Sequence, residues 1–185
     1  MRTRAFIVIA VAALALAGCG DRNLVLKVDV LSYLDDSQKT INVAAVPAVG
    51  EIGSIPILPD MSINLIKGLD AAAQVRSATL SLGGQVTVES GSGSGKFKLY
   101  LSDEDTDPLT TQPVMNVPVT FSAGSPAIVD AETAGSLAMA ELFTQEKLRL
   151  AVVLDSVVIA PPGVTNMTVN ITRLEAIVIA GRKAF

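Results

Sequence analysis

Leu24-Val25-Leu26-Lys27-Val28-Asp29-Val30 places Leu24, Leu26, Val28 and Val30 on one side of an extended chain and Lys27 and Asp29 on the other. Successive strand residues face opposite sides of a sheet, so this period of two predicts a β-strand with one dry face. The same alternation recurs downstream. Ala78, Leu80 and Leu82 are in phase, and Val86 and Val88 resume the pattern beyond Gly83-Gly84, which predicts a strand bent at the glycine pair. Phe97, Leu99 and Leu101 alternate with Lys98 and Tyr100. Val117, Val119 and Phe121 are in register with one another, as are Leu148, Leu150, Val152 and Leu154. Met167, Val169 and Ile171 continue the series; the phase then slips to Leu174, Ala176 and Val178, predicting a bulge near Thr172.

The segments between these strands supply the turns. Pro47, Gly50, Gly53, Pro56 and Pro59 break the stretch from Thr40 to Asp60 into short edge strands. Met61 to Gln74 fits both a helix and the start of a strand. Ser90-Gly91-Ser92-Gly93-Ser94-Gly95 reads as a flexible loop joining its flanking strands into an antiparallel hairpin. Pro113 and Pro118 hold the strand from Val114 to Phe121 towards a sheet edge, and Ala160-Pro161-Pro162-Gly163 is a turn. Asp130 as N-cap and Glu132 in a first turn, followed by Ala134, Leu137, Ala138 and Leu142, predict one amphipathic helix ending near Gln145. The fold expected is mainly β: a single antiparallel β-sandwich of about eight to ten strands with one short amphipathic helix.

The N-terminal segment has a different character. Met1-Arg2-Thr3-Arg4 is basic, Ala5 to Ala17 lacks charge, and small residues precede Cys19. This is the layout of a secretory signal, whose apolar stretch is shorter than the roughly 20 residues needed to span a bilayer. Leu16-Ala17-Gly18-Cys19 resembles the lipobox of bacterial lipoproteins. The resemblance covers residues 1–19 and implies cleavage after Gly18, with a diacylglyceryl thioether on Cys19. The expected organisation is a signal peptide at 1–18, a lipidated tether at 19–23 and a β-sandwich domain at 24–185. In enterobacterial-type lipoproteins an aspartate directly after the cysteine favours inner-membrane retention. Here Gly20 holds that place and Asp21 follows, which leans towards the outer membrane.

Cys19 is the single cysteine, so an intrachain disulfide is excluded and acylation would remove an otherwise reactive exported thiol. The whole chain carries a formal charge of −4, and loss of Arg2 and Arg4 with the signal makes it two units more negative. Such a domain has no general attraction for nucleic acid, and none is expected as a partner.

The absence of histidine removes the usual serine and cysteine catalytic triads, together with the commonest metal ligand. No serine stands three residues before a lysine. A phosphate-binding loop ending at Lys96 would need glycine where Ser90 stands and a hydroxyl residue where Phe97 stands. No tryptophan is available to stack on sugar rings, and nothing pairs two distant acids for glycoside hydrolysis.

Asp103, Asp105 and Asp107 have the alternate spacing of a calcium loop, although Pro108 and Val114 replace the turn glycine and closing glutamate of an EF-hand. Calcium is therefore weighed against a solvated acidic loop. Asp35-Asp36 reads as a turn. Asn166-Met167-Thr168 and Asn170-Ile171-Thr172 match a glycosylation pattern but read as outward polar residues of a strand. The expectation is a non-catalytic envelope protein, held to a membrane through Cys19, that binds an envelope protein partner or serves as a structural accessory. Carriage of an apolar ligand within the sandwich and calcium-dependent assembly are the alternatives.

Overall fold

The computed structural model describes residues 23–44, 50–64, 73–145 and 147–182. Leu16, Ala17, Gly18 and Cys19 lie outside them, as does the stretch 65–72 that includes most of the segment left open between helix and strand.

Among the described residues, ten strands form two antiparallel five-stranded sheets. The first contains β1 (Asn23–Asp29), β2 (Thr40–Val43), β5 (Ala73–Ser90), β8 (Ala127–Glu132) and β10 (Thr165–Arg182), in the order β1-β10-β5-β8 with β2 also on β10. The second contains β3 (Gly50–Glu51), β4 (Ile55–Asn64), β6 (Ser92–Asp103), β7 (Met115–Ser122) and β9 (Lys147–Ile159), in the order β3-β9-β6-β7 with β4 also on β9. The β-sandwich expected from the alternation is the architecture observed. β1 begins at Asn23, opposite Gly181, one residue before the expected strand start and within the expected tether.

The dry faces meet between the sheets. Phe97, Leu99, Val152, Leu154, Leu82, Val86, Val169 and Leu174 are each fully buried there. Burial of side chains of this size contributes about 1.5–3 kcal/mol each, which is how a chain without a disulfide sustains the fold. The bulge near Thr172 is present as a register shift between Ile171 and Arg173. Gly83 sits against it, where a Cβ would lie 2.8 Å from the Arg173 Cβ. Pro118 lies on β7, at the edge of the second sheet, where a missing N–H weakens no internal ladder.

Two expectations are corrected. The Ser-Gly run is not a hairpin loop: β5 and β6 belong to different sheets, and Ser92 to Gly95 are part of β6, paired with β7. Gly93 is needed there for close approach, since a Cβ would lie 2.6 Å from the Val158 carbonyl oxygen and 2.7 Å from the Phe121 ring. Gly91 alone makes the turn, at φ +83°.

Asp130 is likewise not a helix cap. Residues Ala127–Glu132 form β8, with Val129 buried and Asp130 directed outward, because the period-two pattern outweighs the capping signal there. The helix α2 is shorter (Leu137–Leu142) and is capped by Ser136, whose Oγ accepts a hydrogen bond from the Met139 N–H at 3.1 Å. A second, one-turn helix, α1 (Asp36–Lys39), was not foreseen; the Asp35 N–H donates to Gln38 Oε1 at 2.9 Å.

The sandwich has two unlike ends. Among the described residues, three links cross between the sheets at one end: Gly91, the turn from Ala123 to Pro126, and the turn from Ala160 to Val164. They are tied by Ala123 N–H to Gly91 O (2.9 Å) and Ala160 N–H to Ser92 O (3.0 Å). Asn23, the start of β5 and the end of β10 gather at the opposite end. There the first sheet overhangs the second, because β5 has 18 residues and β6 has 12.

Candidate functional site

Four arrangements of polar or accessible groups stand out, and the residue expected to carry the anchor, Cys19, precedes the described β1. The first centres on Asp155. A register shift in β9 beside Lys96 leaves Ser156 at φ +51°. Its hydroxyl donates to Asp155 Oδ2 at 3.0 Å, Ser54 donates to the other oxygen, and Lys98 forms an ion pair with the same carboxylate. The Lys98 hydrogen bond, then that of Ser54, hold the Asp155 carboxyl well below the usual carboxylate range. Asp155 in turn raises the Lys98 ammonium above its ordinary value. A lysine acting as base for a serine nucleophile needs the opposite shift. This cluster therefore closes the β9 bulge and offers no activated nucleophile.

The second lies on the outer face of the first sheet. The Arg173 guanidinium reaches Asp130 at 2.5 Å and Glu132 at 3.8 Å, and Ser81 Oγ donates to Glu132 at 2.9 Å. Arg173 Nε is buried without a hydrogen-bond partner. Arg173 on β10 thus reaches two carboxylates of β8 across β5, a cross-strand structural pairing.

The third is the acidic loop after β6. Asp103 Oδ1 accepts from the Thr106 N–H at 2.9 Å, and Asp107 Oδ1 accepts from the Leu109 N–H at 3.0 Å to open the 3-10 turn Pro108–Thr110. Hydrogen bonds from Thr106 lower the Asp103 carboxyl below its ordinary range. Glu104 is paired with Lys147, and Asp105 is exposed. Asp103, Asp105 and Asp107 are not brought together around one point: among the described residues no group of three acids is placed to hold a metal ion.

The fourth is a groove of about 680 Å³ where the edges of β7 and β8 part above α2, lined by residues including Met115, Val117, Ala131, Thr133, Met139 and Leu142. Sequence periodicity had no means of finding it, since it is formed by two edges and a helix that are distant in the chain. The groove offers space for an apolar ligand at this edge. Asn166 and Asn170 lie on β10 between the buried Met167, Val169 and Ile171, as outward polar residues. Asn166 donates to Glu89 at 2.6 Å, and Asn170 accepts from Thr40.

No protein-family model and no curated protein matches the chain. Among solved structures, it resembles that of the infectious bursal disease virus Gt strain at 15% identity and a TM-score of 0.42, covering 98% of this chain and 43% of that one. The VP2 subviral particle of infectious bursal disease virus gives 14% identity and 0.39, covering 98% and 42%. The tobacco streak virus coat protein dimer gives 16% and 0.28, covering 80% and 88%. The chain thus spans less than half the length of the first two. Likeness at this level carries no argument about activity or assembly.

Proposed function

We propose that the protein is a lipid-anchored, non-catalytic component of a bacterial envelope, acylated on Cys19 and presenting its β-sandwich to a protein partner. The observation that supports this most directly is the order of basic segment, uncharged stretch and Leu16-Ala17-Gly18-Cys19, followed after three residues by the first strand residue, Asn23. A mature chain starting at Cys19 loses no part of the described fold. The polar clusters are consistent with a binding or structural role, because Asp155, Lys98, Asp130, Glu132, Asp103, Glu104 and Asp107 are engaged with opposite charges, with hydroxyls or with backbone N–H groups. Outer-membrane residence follows the reading of Gly20 after the cysteine.

The test is mass spectrometry of the mature N-terminus together with membrane fractionation. A diacylglyceryl-modified Cys19 in the outer-membrane fraction, lost in Cys19→Ala, is the expected result. An unmodified thiol on a soluble protein would refute the anchor. Mild crosslinking in the native membrane should then capture a reproducible partner. Turnover of an envelope substrate by the purified protein would overturn the non-catalytic assignment.

The groove at β7, β8 and α2 favours a second reading, carriage of an apolar ligand. Native mass spectrometry of protein purified from its membrane distinguishes the two: a stoichiometric lipid adduct lost in Met139→Arg supports carriage, and a bare polypeptide mass removes it.

A further inference from the structure

We propose that the tether end of the first sheet rests on the lipid surface, with the outer face of β1 and β10 as the contact and the sandwich leaning on that side. The inference rests on acylation of Cys19 and adds to it the face that meets the bilayer. Four peptide steps separate Cys19 from Asn23, and at no more than about 3.6 Å each they keep Asn23 within about 14 Å of the lipidated residue. Asn23 is fixed to Gly181 in the sheet, so the tether end cannot swing away from the membrane.

Two halves of that end compete for the surface, and their chemistry differs. On the second sheet lie Asp103, Asp105 and Asp107, with Glu104 paired to Lys147, and the charge of these three aspartates an anionic bilayer repels. On the first sheet lie Val25, which is 57% exposed, with Ile177 and Ile179 beside it on β10 and exposed Arg76 crossing Gly181. Lys27 follows on the same face, in an ion pair with Glu175. Apolar side chains beside a neutralised pair and the exposed Arg76 suit the boundary between headgroups and acyl chains.

The chain contains no tryptophan, so a single introduced indole reports its own surroundings. Val25→Trp, Leu109→Trp and Ile128→Trp each replace a side chain more than half exposed. They mark the proposed contact, the acidic half of the same end, and a position eight residues further along the first sheet, about 26 Å away. The lipidated proteins are reconstituted into vesicles of phosphatidylethanolamine and phosphatidylglycerol carrying brominated acyl chains. Val25→Trp is expected to shift its emission to the blue and to be quenched about twofold or more beyond the other two, as for a side chain at the acyl boundary. As a measurement on the unsubstituted protein, acetylation of Lys27 is expected to slow on vesicles while that of Lys96 does not. Equal quenching at all three positions, stronger quenching of Leu109→Trp, or unchanged Lys27 labelling overturns the proposal. Flotation separates the two failures: protein that floats without these signals keeps its anchor and loses this contact face, whereas protein that does not float loses both.

Discussion

A methyl group on Gly91 would lie 1.9 Å from the carbonyl oxygen of Gly163, so two of the crossings at one end of the sandwich touch backbone to backbone. Gly91 is at φ +83°, a conformation that side chains strain. Gly91→Ala is therefore expected to destabilise the fold by about 3 kcal/mol or more, combining overpacking with left-handed strain. In a domain of this size that lowers Tm by roughly 6–12 °C. Gly124→Ala is the control: its φ is +88°, but nothing lies within 4 Å of the added carbon, so its cost should stay near 1 kcal/mol. Comparable losses in thermal melts of the two variants would show that the close approach is not what matters.

Asp155 sets an acid limit on the β9 bulge. Its folded carboxyl titrates below the ordinary 3.8, so its contribution is fully present above that value and is lost progressively as pH falls further. Asp155→Asn is expected to lower Tm at neutral pH and to flatten the fall of Tm on acidification below about pH 4. A variant whose Tm declines with acid as steeply as the parent would contradict this assignment.

The acidic loop is built by backbone caps. Asp107→Ala should cost about 1 kcal/mol through loss of the bond to the Leu109 N–H, as a cap replacement does elsewhere. Calcium is expected to leave Tm unchanged in the parent, because Asp103 and Asp107 are spent on separate N–H groups. A melt that rises with calcium would restore the loop as an ion site.

Ser136, where the sequence pointed to Asp130, caps α2. Ser136→Ala should cost about 1 kcal/mol. Asp130→Ala should leave helix content unchanged in circular dichroism and affect only the surface pair with Arg173, worth about 1 kcal/mol or less. The reverse ranking would return the helix start to Asp130.

This pair also shows where sequence reading stops. Alternation identified β1, β6, β7, β9 and β10, and even the slip at Thr172, because each of these strands buries one face against the opposite sheet. It misplaced the helix because Asp130 carries two compatible signals, a cap residue and an outward strand position, and only the partner strand β5 decides between them. The Ser-Gly run failed for a related reason. Glycine permits both a loose loop and a tight approach, and Phe121 and the Val158 carbonyl, which make Gly93 the latter, are remote in sequence. The groove was illegible throughout, since it exists only where two edges and α2 converge. The lipobox lies outside the described residues and rests on sequence alone.

β1 has a mechanical consequence. Its seven residues pair with β10 from Asn23↔Gly181 to Asp29↔Glu175, and antiparallel hydrogen bonds run across the strand axis. A pull along that axis through the residues before Asn23 loads the ladder in shear, so its bonds share the force and yield together. The same chain attached through a loop at the crossing end would peel open one pair at a time.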